Sequence, residues 1–189
     1  MSVTSVATTV YRSALPTVLV SAAGGLVAGS ILGGMDAELR SVQGLLVVVP
    51  AFLAIRGSVY GSLGARLSSG VHQGVIDPVF EPDERITGAV AAALFNGLTA
   101  SVFAAVLAFA VLSGLGRPVA PLWALVLIAL VGGVLAGGAL STTILVVVFL
   151  GYRRGMNPDD LVGPAMTTAG DVFGMMSLFL AARLAIALT

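Results

Sequence analysis

The chain has 189 residues, of which 58% are hydrophobic and 10% charged, with a mean hydropathy of +1.07. A soluble domain carries about a quarter charged residues, so this composition excludes a water-soluble globular protein and makes lipid the solvent. Nine arginines balance nine acids, which excludes a nucleic-acid footprint; no cysteine and one histidine, His72, exclude disulfides, thiolate metal centres and a multi-histidine site within one chain.

Crossing about 30 Å of hydrocarbon takes roughly 20 predominantly apolar residues in a helix. Five stretches meet that requirement, at residues 13–35, 41–70, 86–116, 118–152 and 161–187. The expected fold is all-α, a single integral membrane domain over residues 1–189 with five transmembrane helices. The first stretch is uncharged and ends at Asp36, Glu38 and Arg40. No small-residue cleavage site and polar mature domain follow it, so it reads as a retained span rather than a signal peptide. The second contains Pro50, Arg56, Gly57, Gly61 and Arg66. A proline removes a backbone donor and glycines loosen the helix, so this span is expected to be broken.

The third stretch needs no special device. The fourth holds 35 uncharged residues, roughly 52 Å of helix at about 1.5 Å per residue. It must tilt, project from the membrane or break near Gly132-Gly133 or Gly137-Gly138. Residues 72–85, with two prolines and several charges, form the one substantial extramembrane loop. Residues 152–160 make a shorter turn, in which Asn157-Pro158 is placed to start the last helix.

Five spans put the termini on opposite sides. Arg12, Arg66, Arg85, Arg153 and Arg154 fall on the N-terminal side, and Arg40, Arg117 and Arg183 on the other. The positive-inside rule then gives a cytoplasmic N-terminus, and the expected location of the chain is the plasma membrane, as a multi-pass protein. Residues 24–33 (GGLVAGSILG) echo residues 132–141 (GGVLAGGALS) at five of ten positions. Two readings stand, an inverted-topology repeat or close helix packing over small residues.

Asp171 is the most informative residue, ten positions beyond Leu161 and twelve before Arg183. A carboxylate at the centre of a span costs about 2.5–3.5 kcal/mol. A bound cation or an aqueous path would offset that; so would an ion pair with Arg56, the only base deep in a span, or a shallower depth. Thr167 and Thr168 precede Asp171 by four and three residues, so at least one shares its face. Hydroxyls and carbonyls beside a carboxylate suit a hard cation, although threonine also back-bonds to its own helix. Backbone carbonyls freed in the stretch 50–62 would line a wet cavity, unless the proline makes only a filled kink. His72, the loop acids Asp77, Glu81, Asp83 and Glu84, and Asp159 and Asp160 beside Arg153 and Arg154 read as solvated charge. A single deep carboxylate and one histidine speak against an intramembrane enzyme. A small-molecule carrier or the membrane subunit of a larger importer is the alternative, against which stands an aromatic content of 6%.

Two motifs carry a resemblance. Residues 50–72 (PAFLAIRGSVYGSLGARLSSGVH) are similar to the second helix of the MgtE and solute carrier family 41 transporters, where a proline precedes a Gly-Asn pair and a Gly/Ser-rich segment. Residues 152–174 (YRRGMNPDDLVGPAMTTAGDVFG) resemble that family's last loop and fifth helix, with an Asn-Pro-Asp turn, a proline, a threonine pair and an intramembrane aspartate. The resemblance implies a Mg²⁺ pathway at a two-fold axis, built from the second and fifth helices of two domains. It places the central ion ligand on Asp171, second-helix contacts on Gly57 and Ser58, and a contact one turn earlier in the last helix on Thr167. Mg²⁺ is then the transported ion rather than a resident cofactor. Ser58 stands where the family usually has asparagine, which weakens that contact or routes it through water. No soluble sensor domain precedes the first span, and family 41 members hold two such domains in one chain. The expected partners are therefore lipid, a divalent cation and a second domain, in a homodimer or a heterodimer with a sister MgtE-like domain.

Overall fold

The computed structural model describes residues 3–188, and they are helical with no strand. Six helices follow one another: α1 (Val3–Gly33), α2 (Asp36–Ser41), α3 (Leu45–His72), α4 (Glu84–Gly114), α5 (Leu122–Arg153) and α6 (Pro158–Ala187). Four of them, α3 to α6, are long and apolar enough to cross a membrane, and α1 adds the apolar stretch Val18–Gly33. The side chain of Arg12, one of the five arginines on the N-terminal side, lies outside the described residues. Large apolar side chains such as Leu26, Phe95, Phe103 and Leu107 point outward, the surface that a hydrocarbon solvent selects.

Helices α5 and α6 share the largest contact, α3 lies against α4, α5 and α6, and α1 packs on α6. Each long helix starts where local chemistry allows. Asp83 caps α4, its Oδ1 accepting from the backbone N–H groups of Arg85 (2.7 Å) and Ile86 (3.3 Å). Asn157 caps α6 by accepting from Asp159 N at 3.2 Å, with Pro158 at the first helical position as expected. The loop 73–83 folds back on α3, with Ile76 seated over Gly70, where a Cβ would come within 2.6 Å of Ile76 Cδ1.

The break expected at Pro50, Gly57 and Gly61 is not there: α3 runs uninterrupted from Leu45 to His72. Pro50 is the sixth residue of the helix, so its missing donor leaves one carbonyl, that of Leu46, beside a helix start whose backbone groups need outside partners anyway. The interruption falls instead ahead of α3. Gly44 turns the chain at φ +93°, a left-handed conformation that favours glycine. The corner is tied to the α4–α5 connection by Ala120 N donating to Gln43 O at 2.8 Å.

α5 is likewise continuous over 32 residues, and its glycines receive side chains of α3 and α4. A Cβ on Gly132 would lie 3.4 Å from Phe52 Cζ; one on Gly133 would lie 2.7 Å from Leu98 Cδ2; one on Gly137 would strike the Tyr60 hydroxyl. Between these contacts lies Arg56, with no exposed surface. Its Nη2 donates to Gly97 O (3.0 Å) and to Ser101 Oγ, its Nη1 donates to Gly133 O (3.3 Å), and its Cζ stacks 4.3 Å above the Phe52 ring. The apolar core divides on either side of this guanidinium. One cluster holds Phe52, Leu125 and Leu178, the other Tyr60, Ile144 and Met166. One ion pair occurs among the described residues, Arg183 Nε to Glu38 Oε1 at 3.1 Å, joining α2 to the end of α6.

Neighbouring glycines of α5 should therefore differ in their response to a single methyl group. Gly137→Ala meets Tyr60 and Leu94 and should lower stability by about 1–3 kcal/mol. Gly138→Ala meets nothing within 4 Å and should stay within about 0.5 kcal/mol of the parent. Thermal unfolding of both variants in the same detergent checks the pair.

Candidate functional site

Helix α6 carries Gly163, Thr167 and Asp171 at intervals of four, so they line one face. Asp171 is the fourteenth of its 30 residues, which is mid-span. Its side chain is half-buried, and among the described residues it has no hydrogen bond and no ion pair. It lies in a cavity of about 210 Å³ between α1 and α3, with Gly25 and Gly29 on the α1 wall, Val49 and Leu53 on the α3 wall, and Met175 beside it. Neither Gly25 nor Gly29 has a neighbour within 4 Å of where a Cβ would stand, so the glycines hold the groove open.

Helices α3 and α6 run antiparallel. A Cβ on Gly174 would lie 2.7 Å from Leu53 Cδ2, and one on Gly64 would strike Val162. This register sets Gly57 level with Asp171. Gly57 is exposed and lies one turn beyond Leu53, outside the residues that line the groove. Ser58 is also exposed but turns to the other flank of α3. There it lines a groove of about 310 Å³ against α4, with Ser62, Ala92 and Asn96. Of the four expected site residues, Asp171 lines the groove, Thr167 lies one turn back on the same face of α6, Gly57 is exposed on α3, and Ser58 lines a separate groove.

Thr167 is exposed, and its Oγ1 donates to Pro164 O at 3.0 Å and sits 3.0 Å from Ser21 Oγ of α1. Back-bonding to its own helix is realised, and the same hydroxyl joins α6 to α1. Thr168 points away from the groove: its methyl packs on Gly24, and its Oγ1 is buried without a partner.

The alternative explanation of Asp171, an ion pair with Arg56, is not realised. Arg56 turns its guanidinium towards α4 and α5, where two glycine carbonyls and Ser101 receive it. Only its stem approaches α6, with Cγ 3.8 Å from where a Cβ on Gly174 would stand. The two echoing segments also part company. Gly25 and Gly29 of α1 face open space, whereas Gly132, Gly133 and Gly137 of α5 are filled by α3 and α4 side chains.

One polar residue escaped the sequence reading. Asn96 is the thirteenth of 31 residues in α4 and is exposed at mid-span. The available signal was an amide in the middle of an otherwise apolar run, the same kind of signal that singled out Asp171.

No group of three or more histidine, aspartate or glutamate side chains converges among the described residues. A cation at Asp171 would meet one carboxylate per chain, with hydroxyl and carbonyl oxygens nearby. Such a donor set does not strip a small divalent ion. It suits an ion that keeps most of its waters.

A family model described as a divalent cation transporter, MgtE, matches residues 49–181. The match runs from the first turns of α3 into the last third of α6, so it takes in Gly57, Ser58, Thr167 and Asp171. Over 182 residues the chain is 28% identical to solute carrier family 41 member 3 of Rattus norvegicus, a match covering 93% of this chain and 39% of the relative. The chain thus spans about two fifths of that relative's length. With well over half of its residues under the family model, this multi-pass membrane protein belongs to the MgtE family of divalent cation transporters.

Proposed function

We propose that this chain conducts a divalent cation, Mg²⁺ foremost, along the groove between α1 and α3, with Asp171 as the residue that attracts and holds the ion. The observation that carries this reading is a mid-span carboxylate with no partner among the described residues, on the floor of a groove kept open by glycines. A charge left uncompensated in hydrocarbon is costly, and a passing cation with its water offsets that cost. Mg²⁺ dehydrates reluctantly and is commonly bound through one or two carboxylates with several waters retained. Thr167 offers a hydroxyl oxygen to those waters, and Gly57, without a side chain, leaves them room beside α3. The name of the rat relative supports a solute carrier role.

A second MgtE-like domain completes the path. In one chain the exposed edge of α3 presents Ala54 and Gly57, small residues over which a second helix can approach closely. Two such edges meeting at a two-fold axis would bring two Asp171 carboxylates to one passage, with about −2 of charge against a divalent ion. Either an identical chain or a sister domain fills this place. The N-terminus is cytoplasmic in the plasma membrane by arginine asymmetry.

Replacing Asp171 by asparagine keeps shape and removes charge. Because losing even an outer partner of a metal site costs about 10–100-fold, Asp171→Asn should cut Mg²⁺ uptake into proteoliposomes at least that much, with unchanged yield from the membrane. Uptake at the parental rate would remove Asp171 from the path. Gly29→Leu fills the groove in space that is empty in the folded chain; it should block flux while leaving thermal stability near the parent, and undiminished flux would place the path elsewhere. The chain has no cysteine, so Ala54→Cys supplies a lone thiol. Oxidation in the membrane should link two chains through it if identical copies meet at α3. A monomer after oxidation, with transport intact, would point to a sister domain or a different interface.

A further inference from the structure

On the other flank of α3, away from Asp171, a cationic pocket of about 470 Å³ opens at the end of the helix, between α3, the returning loop 73–83 and the first turn of α4. Arg66 and Arg85 both line it, with Ser62, Ser69 and Gln73 as further donors. Its wall is built. Ile76 is locked over Gly70, and Arg85 Nη1 donates to Val75 O at 2.6 Å, which fixes that guanidinium at the rim. Neither arginine has an ion pair among the described residues. The nearest capping acid, Asp83, is turned onto the backbone N–H groups of Arg85 and Ile86.

The pocket does not end at the membrane surface. Ser62 and Arg66 also line the α3–α4 groove of about 310 Å³, which continues into the bilayer over Leu63, Ala89 and Ala93 and ends at Asn96. A charged rim thus leads into a trough lined by Val59, Leu63 and three alanines of α4, together with Ser58, Ser62 and Asn96. We propose that this rim and trough form a specific site for an anionic phospholipid, its headgroup phosphate held between Arg66 and Arg85 and one acyl chain lying along α3 and α4. Guanidinium groups match phosphate oxygens in fork geometry, and basic pockets between membrane helices select headgroups with net negative charge. A zwitterionic headgroup would bring its own cation to two unpaired arginines. The trough favours a lipid over a free anion: beyond Arg66 it holds no further cation, and Val59, Leu63, Ala89, Ala92 and Ala93 give an acyl chain apolar surface to lie on.

The test uses the purified full chain in mixed micelles of phosphatidylglycerol and phosphatidylcholine with the same acyl chains, read by native mass spectrometry. Phosphatidylglycerol should be retained over phosphatidylcholine by about tenfold or more. The double variant Arg66→Gln/Arg85→Gln should lose that preference, and Arg153→Gln/Arg154→Gln should keep it. Inorganic phosphate at millimolar concentration should not displace the lipid. Equal retention of the two lipids by the parent chain, a comparison that needs no variant, would overturn the assignment. So would an equal loss in the Arg153/Arg154 variant, which would mean general attraction to a basic membrane face, or displacement by phosphate, which would mean a site for the free anion. If the double glutamine variant does not fold, Arg66→Lys/Arg85→Lys should keep the charge yet lose fork geometry, so its preference should fall between that of the parent and equality; a preference equal to the parent's would count against the bidentate contact.

Discussion

A guanidinium at the centre of this bundle, out of reach of water and of any carboxylate among the described residues, dictates how α3, α4 and α5 meet. Arg56 needs acceptors from two other helices at once, and it finds them because glycine occupies the crossing points. Gly97 and Gly133 bring their carbonyls to 3.0 and 3.3 Å of its nitrogens, and Phe52 spreads its ring beneath the charge at 4.3 Å. Larger residues there would hold the helices apart and leave the charge without partners in a medium that cannot solvate it. Close packing over small residues, the general device of membrane helices, here serves one polar group. The apolar core on each side, around Phe52 and around Tyr60, is arranged about that group.

Asp171 is handled in the opposite way. Arg56 is enclosed by carbonyls, a hydroxyl and an aromatic face, whereas Asp171 is left open beside a glycine-lined groove. If both charges were structural they would be expected to neutralise each other, since their helices touch at Gly174. Their separation leaves the carboxylate without a partner among the described side chains. That contrast gives the functional reading its physical footing, with family membership supplying the class of solute.

The helices themselves were largely legible in advance. Runs of apolar residues between polar breaks located α3 to α6 to within a few residues, because hydrocarbon imposes a minimum length on each span. The Asn157-Pro158 start of α6 was also legible, since a capping side chain and a donor-less first residue act locally. Pro50, Gly57 and Gly61 misled for the same reason that local signals usually work. They weaken a helix in isolation, but α3 is held along its length by three neighbours, and packing outweighs propensity.

The amino-acid sequence alone determined that lipid is the solvent, where the four long apolar helices α3 to α6 lie and which carboxylate falls in the middle of one of them. These are consequences of composition and one-dimensional spacing, set by the free energy of moving charge and backbone out of water. Only the tertiary structure decided where each polar side chain turns: Arg56 towards α4 and α5, Asp171 into the groove by α1, Ser58 to the far flank beside Asn96. Helical periodicity places a residue on a face. What that face meets depends on which helices approach it and at what register, and this is settled by side-chain packing between segments far apart in the chain.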